Sequence, residues 1–563
     1  MSDSLALEIL IRADDLRSER QAVWDPVYQD LSDYFLPQLS NIDTEKTEGV
    51  IGWTDRIYET TGIQAAQTLA TGMQNWETPA TEPWFEFEAP ETMKEGADEA
   101  GIWLARATNI TLKELARSNF YSKSHEDYMS IAVFGTGLLF VEEGKKTALN
   151  FRQSKVSTYT VCEDDEGTVD TVHHYLEMTA KQAVQQFGID NVGEKVRKAF
   201  EQPKQTGLDK KFKFVHCVMP RDESKRIAGR MDGENKSIAS IYVSEDDKTC
   251  VKISGFDEMP YICSRFTKFG TQAPYGYSPA FLMLPNARQL NYVSQYMDAL
   301  AELMAYPRLL YPDSLDGDVD LRAGGVTTYD SSNPNAKPEE WMTRGNYPLA
   351  VELLKEKRDA VNASFFVDMF QLLKQLQDKR MTAYEIAQRQ AEKVESFRPI
   401  FDRHVTERLN PLLRRIFGIL YRKGAYGVAP RGLMVPVGNE GQEALALPEI
   451  VITSRVSLAL KASQNQGIVN TLSILEPLLQ SQPDLADNFD MDTLVRELAR
   501  NNSIPPDIER PLKMVQEMRQ ARAQQMQAQQ TIQSVQGIAK AGKDLNKAPQ
   551  RMQDSVMGMM DEG

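Results

Sequence analysis

The most constraining feature of this chain is a long helical stretch between residues 286 and 424 that is broken by a segment unsuited to helix. Pro307 ends the first helical run, and the 41 residues from 307 to 347 contain four prolines and four glycines, a composition that favours turns and short strands. A second helical run, a charged break at 378–380 and a long final helix follow. The stretch is therefore either an ordinary helical hairpin with a decorated loop or a rod with a functional tip. The first run places its apolar residues at steps of three or four, on one helical face: Leu290, Val293, Met297, Leu300 and Met304.

Length and composition limit the class of protein. At 563 residues, the chain has room for about three or four domains. No apolar stretch approaches the roughly 20 residues needed to span a bilayer, and the first residues lack the basic and apolar regions of a signal peptide. We therefore expect a protein of intracellular origin, with no membrane partner. The cysteines lack paired spacing, which predicts reduced thiols rather than a zinc site or disulfides: Cys162, Cys217, Cys250 and Cys263.

Charge is unevenly distributed along the sequence. The net charge of −16 argues against a protein that coats nucleic acid, because affinity for phosphate comes mainly from clustered Lys and Arg. Residues 313–344 hold seven acidic and three basic side chains, a balance of −4, whereas residues 374–423 hold twelve basic and six acidic ones, a balance of +6. The basic stretch could meet DNA locally. The alternative is a solvated helix with intrahelical ion pairs.

Motifs that carry chemistry are missing from the sequence. None of the five histidines has metal-ligand spacing, and Gly144-Lys145-Lys146 lacks the earlier glycine and the hydroxyl residue of a phosphate loop. The Asp316-x-Asp318-x-Asp320 pattern resembles a calcium loop, but Leu321 stands where that loop needs glycine. We therefore predict no enzyme, no cofactor and no metal site.

Hydrophobic periodicity predicts an α+β protein with a substantial antiparallel sheet. The N-terminus reads as one long helix from Leu5 to Pro37, followed by helices at 57–73 and 94–133. Gly135 and Gly137 allow a tight change from helix to an apolar strand. A short helix at 178–187 interrupts the predicted strands, which are 147–152, 155–162, 168–176, 211–218, 239–243, 249–254 and 260–266.

Several segments, in this order, resemble the head-to-tail connecting proteins, or portal proteins, of short-tailed bacteriophages. Each segment alone is weakly specific, but their order and spacing together are fairly specific, and the resemblance covers most of residues 10–510. No segment beyond about 510 can be matched. The segments are Trp24 with the helix running to Pro37, Tyr58–Met73 with Thr78-Pro79 and Trp84-Phe85, Val133–Gly137, Tyr275–Ala280, and Met381–Glu385.

The resemblance implies a portal fold with a helical stem, an α/β wing, a small clip and a C-terminal helical crown. It also implies a dodecameric ring at one capsid vertex of the virion, through which double-stranded DNA is packaged and later ejected. The implied partners are the terminase motor, a tail adaptor, and capsid and scaffolding proteins. The expected parts are a wing (1–284), a first stem helix (285–306), a clip (307–348), a second stem helix (349–372), a tunnel loop (373–384), a long wing helix (385–430), a crown with a barrel helix as one alternative (431–535) and a disordered tail (536–563).

Within this plan, individual residues take hypothetical roles. In the tunnel loop, Lys379 and Arg380 would contact DNA phosphates regardless of sequence, with Gln375 and Gln377 as weaker hydrogen-bond partners. The alternative, in which the two cations pair with Asp378 or with a neighbouring subunit, stays open. The clip would bind its partners through an acidic rim and one aromatic side chain: Asp316, Asp318, Asp320, Glu339, Glu340 and Trp341.

One competing class remains. A packaging ATPase or nuclease would need a phosphate loop or a set of metal-binding carboxylates, and the sequence offers neither. A non-catalytic scaffold or tail structural protein would share the helical, acidic character of this chain. Assembly state separates the two readings, because only the portal reading requires a ring with a central channel.

Overall fold

The computed structural model describes residues 2–39, 41–42, 56–90, 97–202, 205–222, 226, 232–270, 273–306, 308–310, 320, 326, 328, 332, 339–341, 347–370, 395–437, 442–454, 457, 490, 493–496, 514–515, 517–522 and 524–526. The chain divides into two units, Met1–Val469 and Asn470–Gly563. In the second unit, residues 493–496, 514–515, 517–522 and 524–526 are helical. The predicted tail at 536–563 lies outside the described residues.

The first unit mixes helices and strands, which confirms the α+β class. Its helices are α1 (Ser2–Val23), α2 (Asp25–Phe35), α3 (Thr61–Glu77), α4 (Ala97–Arg117), α5 (Phe120–Phe134), α6 (Ala180–Phe187), α7 (Glu194–Glu201), α8 (Gln205–Leu208), α9 (Pro279–Ala305), α10 (Tyr347–Ser364) and α11 (395–422). Its strands are β1 (Phe85–Glu88), β2 (Thr136–Glu143), β3 (Leu149–Gln153), β4 (Tyr159–Glu163), β5 (Val169–Thr179), β6 (Lys211–Pro220), β7 (Ile238–Ser244), β8 (Thr249–Phe256), β9 (Tyr261–Arg265), β10 (Arg308–Leu310), β11 (Glu339–Trp341), β12 (Met434–Val437), β13 (Gln442–Leu445) and β14 (Glu449–Ile452).

The largest sheet is an antiparallel meander in the order β4-β5-β6-β7-β8. Successive side chains of a strand point to opposite faces, and both faces of β6 are covered. Phe212 and Phe214 pack with α6 and α7 on one face, while Val215 and Cys217 pack with α1 on the other. Two-sided burial explains why β6 reads as a nearly continuous apolar run. A second sheet has the order β3-β2-β9, and β1–β14, β10–β11 and β12–β13 form separate antiparallel pairs.

The N-terminal helix predicted to run unbroken to Pro37 is instead two helices, so that prediction was wrong. α1 ends at Val23, and α2 begins at Asp25 with Pro26 in its first turn. Proline lacks the backbone N–H that a continuing helix needs but fits the first turn of a new one. Trp24 stands at this break and contacts the rings of Tyr275 and Tyr277 at centroid distances of 5.2 and 5.4 Å.

Two of the glycine-containing segments that carry the family resemblance pack directly against each other. Gly135 ends α5 with φ of 74°, a left-handed conformation that favours glycine, and a Cβ there would lie 2.5 Å from the carbonyl oxygen of Gly276. The Gly276 N–H donates to Thr136 Oγ1 at 2.9 Å, and Ser278 Oγ donates to the Val133 carbonyl at 2.6 Å. The predicted helix-to-strand change at Gly135 is confirmed, and close backbone approach gives the physical reason for both glycines.

Helix α11 contains one irregular turn. Residues 395–404 are α-helical, Val405–Leu409 form a π-helical turn, and Asn410–Arg422 return to α-helix. The helix ends before Gly424, whose φ is 70°, so residues 423–430 do not extend it as predicted. Residues 385–394 of the predicted long helix lie outside the described residues.

Candidate functional site

The interrupted helical stretch folds into a hairpin. Strand β10 directly follows α9, strand β11 precedes α10, and the two strands pair antiparallel with Arg308 opposite Trp341 and Leu310 opposite Glu339. The pairing of β10 with β11 therefore brings the chain after α9 beside the chain before α10. Residues 311–338 connect these two strands. Of that segment the structure describes only residues 320, 326, 328 and 332. Helix α9 begins at Pro279, before the predicted 285. Helix α10 ends at Ser364, residues 367–370 are helical again, and residues 371–372 lie outside the described residues.

Residues 56–60 link both helices of the hairpin to the rest of the first unit through polar contacts. The Glu59 carboxylate accepts hydrogen bonds from Ser294 Oγ on α9 at 3.2 Å and from Arg358 Nε on α10 at 3.1 Å. Asn291 adds a second contact, accepting from the Tyr58 N–H at 2.8 Å. Burial raises the pKa of Glu59, but the hydrogen bonds from Arg358 and Thr61 outweigh it and hold the pKa below its usual value. Glu59 is therefore an anionic link between the two helices at neutral pH.

The end of α10 is held by aromatic rings. Phe365 stacks on Phe35 at 5.4 Å between centroids, and Phe370 meets Trp76 edge-on at 5.8 Å. Phe366 has φ of 55°, a conformation rare for a bulky residue that persists only when its surroundings impose it. The chain thus leaves α10 by a fixed path before it enters residues 371–394.

Gly72→Ala is expected to lower the free energy of unfolding by about 1–3 kcal/mol, because the added methyl group would overlap the Phe370 ring in a packed core. Gly101→Ala on α4 is the matched control: a Cβ there meets nothing within 4 Å, and alanine's helix propensity should leave stability unchanged or raise it by up to about 1 kcal/mol. Urea unfolding measures both variants, and equal stability of the two would contradict the packing argument.

One face of α9 remains uncovered by the described residues. Tyr292 and Tyr296 are 58% and 69% exposed, and their spacing of four places them on the same helical face. Leu282, Met304 and Tyr306 are 75%, 67% and 78% exposed. Exposed tyrosines in a row on a helix are typical of an interface, because their rings supply large contact areas and their hydroxyls remain satisfied.

The residues predicted from sequence are only partly described. Asp316, Asp318, Gln375, Gln377, Lys379 and Arg380 lie outside the described residues. Asp320 is exposed, and Glu339, Glu340 and Trp341 form β11. The contacts made by Glu59 and the exposure of Tyr292 and Tyr296 on one face of α9 were not predicted. The tyrosine spacing was the only available signal, and nothing in the sequence marks Glu59.

Most cations described in the basic stretch are engaged in ion pairs. Arg403 contacts Glu407 at 2.9 Å, Arg415 contacts Glu258 at 2.8 Å, and Arg408 pairs with Asp127 in full burial. Several of these partners are far away in sequence, so the pairs tie α11 to the rest of the unit. Ion pairing therefore engages most of the described cations of this stretch, but it is intrahelical only in part, because Arg408 and Arg415 pair with residues outside α11.

The described residues hold no cluster of metal ligands, no disulfide and no helix that could span a membrane. They contain no group of three or more His, Cys, Asp or Glu side chains that could hold a metal ion. All four cysteines are among them, and none forms a disulfide. In the same part of the chain, no helix is long and apolar enough to cross a bilayer.

Comparison with known proteins identifies the family to which this chain belongs. A family profile described as bacteriophage head to tail connecting protein matches residues 6–509. The chain is 27% identical over 553 residues to the portal protein of Salmonella phage epsilon15, covering 97% of this chain and 96% of that protein. It is also 27% identical over 536 residues to a probable portal protein of Bordetella phage BPP-1, covering 93% and 92%. The profile match extends over nearly the whole chain, and the chain therefore belongs to the bacteriophage head to tail connecting protein family.

Proposed function

We propose that this chain forms a dodecameric portal ring at one capsid vertex, the channel through which double-stranded DNA is packaged and ejected. Membership of the head to tail connecting family supports the proposal. The observation that carries it is the hairpin. Glu59 links its two helices to the rest of the first unit, and the described residues leave uncovered the face of α9 that holds Tyr292 and Tyr296, called the tyrosine face below. The protein would reside in the virion after synthesis in the host cytoplasm.

A closed ring needs two different patches on each subunit that fit one another. The tyrosine face of α9 supplies one patch. The opposite helix supplies a polar one, because Glu352, Lys355, Glu356 and Asp359 of α10 are exposed. We assign the next copy of the chain as the occupant of the tyrosine face, with α9 of one subunit packing beside α10 of its neighbour.

Electron micrographs of the purified chain test the proposal. Rings with a central channel, and a mass near twelve subunits, are the expected result. A chain that stays monomeric at all concentrations and salt conditions would instead favour the non-catalytic scaffold or tail component, the second candidate from the sequence.

The DNA contact is proposed at Lys379 and Arg380, with Gln375 and Gln377 as weaker partners. Ion pairs engage most of the described cations of α11, so these two residues remain the best candidates in the basic stretch. Repeated around a ring, two cations per subunit would make a collar of weak, sequence-independent phosphate contacts that lets DNA slide.

Lys379→Glu/Arg380→Glu is expected to reduce DNA-filled particles by at least about tenfold, because each subunit then presents two anions to the phosphates. Packaged DNA is measured by nuclease protection and by gel analysis of its length. Lys198→Glu controls for added negative charge, since Lys198 lies on α7 with its side chain 71% exposed. Packaged DNA of normal length and amount in the double variant would refute the contact.

The tip of the hairpin, residues 311–338, is proposed as the docking site for the terminase motor and tail adaptor, with capsid and scaffolding proteins contacting other surfaces. Its acidic residues suit basic partner surfaces. The proposed contacts are Asp316, Asp318 and Asp320 in this tip, and Glu339, Glu340 and Trp341 in the adjoining strand β11.

Deletion of residues 315–336, bridged by a short Gly-Ser linker, is expected to abolish tail and motor attachment while rings still form. This deletion retains the β10–β11 ladder, which ends at Leu310 and resumes at Glu339. Cosedimentation of purified rings with tail-containing fractions measures attachment. A full-length variant with asparagine at 316, 318 and 320 separates loss of charge from loss of the tip, and attachment unchanged by the deletion would end the proposal.

A further inference from the structure

The π-turn of α11 lies where three neighbouring side chains reach three different elements. His404 Nδ1 hydrogen-bonds Glu77 Oε1 on α3 at 2.9 Å. Arg408 pairs with Asp127 on α5. Glu407 accepts from the Arg265 backbone N–H on β9 at 3.1 Å and from Arg265 Nη2 at 2.7 Å. A single turn of helix is therefore tied in three directions.

Two of these contacts join into one buried chain of polar groups. Arg408 lies over the Tyr128 ring, with 4.2 Å from its Cζ to the ring centroid, and donates to Ser124 Oγ at 2.7 Å. Tyr128 donates to Glu77 Oε2 at 3.0 Å, and Glu77 leads on to His404. The side chains of Arg408, Asp127, Glu77 and His404 are all completely buried.

Stability alone does not explain this arrangement. Burying an ion pair costs about as much as it returns, and apolar replacements of similar volume are often neutral or stabilising. Asp127 Oδ1, Arg408 Nε and His404 Nε2 moreover have no hydrogen-bond partner among the described residues. A network that is costly and incompletely paired fits a role in fixing position.

The position in question is the rotation of residues 395–404 about the helix axis relative to residues 410–422. This rotation is called the phase of α11 below. A π-turn absorbs one extra residue, and an α-helix advances about 100° per residue. If the turn relaxed to α-helix, the part before it would rotate by about that angle relative to the part after it. Both parts are packed: Phe397 contacts Phe366 and Phe370 at 5.6 and 6.0 Å, while Phe417 contacts Phe87 at 5.0 Å. The extra residue of the π-turn allows Phe397 and Phe417 to face their partners at the same time.

We propose that Arg408, Asp127, Glu77, His404 and the Glu407–Arg265 pair are positioning residues that set the phase of α11 and thereby the direction in which the chain emerges from residues 371–394. Arg380 lies 15 residues before residue 395, the first described residue of this helix. The inference rests on the proposed function for the role of that segment in DNA contact. The phase itself can be measured without DNA.

Asp127→Leu/Arg408→Met tests the proposal, because it removes both buried charges together. Rings of this variant are expected to form normally, to show residues 395–404 rotated relative to 410–422 in a cryo-EM map, and to yield at least about fivefold fewer DNA-filled particles. Arg414→Met, at an exposed position on the same helix, should match wild type in both readouts. An unrotated helix with normal packaging would overturn the proposal.

Glu407→Gln keeps the test decisive if the double variant fails to fold. It preserves side-chain shape but weakens the contact with Arg265, and its side chain is already 13% exposed. Reduced packaging by intact rings supports positioning, whereas wild-type packaging overturns it. Wild-type rings that package no DNA would defeat the proposed function instead, while the cryo-EM phase of the double variant would still decide whether the network positions α11.

Discussion

Tyr292→Glu/Tyr296→Glu is expected to convert rings into monomers without unfolding the chain. Both side chains are mostly exposed in the single subunit, so the change removes little from the fold. In a ring, each tyrosine would be buried against the next subunit. A large side chain contributes about 1.5–3 kcal/mol when fully buried, and an unpaired carboxylate adds a desolvation cost.

The two substitutions together should therefore weaken each subunit contact by at least about 4 kcal/mol, which is close to a thousandfold in dissociation constant. Sedimentation velocity across a range of concentrations measures this loss, and electron micrographs show whether rings remain. The far-ultraviolet circular dichroism spectrum should be unchanged, because the tyrosines contribute to assembly rather than to the subunit core.

Val428→Glu is the matched control for the tyrosine variant. Val428 is 94% exposed and lies after α11, away from the hairpin in the sequence, so its variant should assemble like wild type. Tyr292→Phe/Tyr296→Phe should also assemble, since the apolar ring area is retained. Rings of normal yield from the glutamate variant would show that α9 faces something other than a second copy.

The strands and the hairpin could be predicted because their signals are local. In β6, Phe212 and Phe214 alternate with polar residues before both faces become buried, and this pattern predicts a strand from a few residues. Pro307 and the glycines after it likewise mark the end of α9. Local patterns of this kind specify secondary structure because side-chain direction depends only on the backbone period.

Long-range partnerships could not be predicted in the same way. Arg408 and Asp127 are separated by 281 residues, and nothing near either residue indicates its partner. Counted along the sequence, Arg408 adds to a positive stretch that suggested DNA contact; in the fold it is buried and neutralised. The π-turn has no composition signal either, because both halves of α11 contact elements that are distant in the sequence.

The charge balance along a sequence therefore indicates which side chains are available to a partner only after the buried pairs have been removed. Arg415 and Arg422 both contact Glu258, and Arg403 contacts Glu407. Five further cations of the basic stretch precede residue 395. Lys379 and Arg380, which we propose to contact DNA, are two of them.

Arg408→Met is expected to lower the free energy of unfolding by about 3–5 kcal/mol, because it leaves the Asp127 carboxylate buried without its cation. Burial lowers the pKa of Arg408 to about 10, which still leaves the guanidinium charged at neutral pH. Equilibrium urea unfolding followed by tryptophan fluorescence measures the loss, and Arg414→Met should stay within about 0.5 kcal/mol of wild type.

Asp127→Leu/Arg408→Met should recover most of that stability, because neither charge is then left alone in the core. The coupling between the two positions in a double-mutant cycle is expected to be at least about 2 kcal/mol. A single variant within about 1 kcal/mol of wild type would show that water or a rearranged partner reaches Asp127. Recovery of stability without recovery of DNA packaging would separate the two effects of the network. The pair would then be dispensable for folding but required to set the direction in which the chain enters α11.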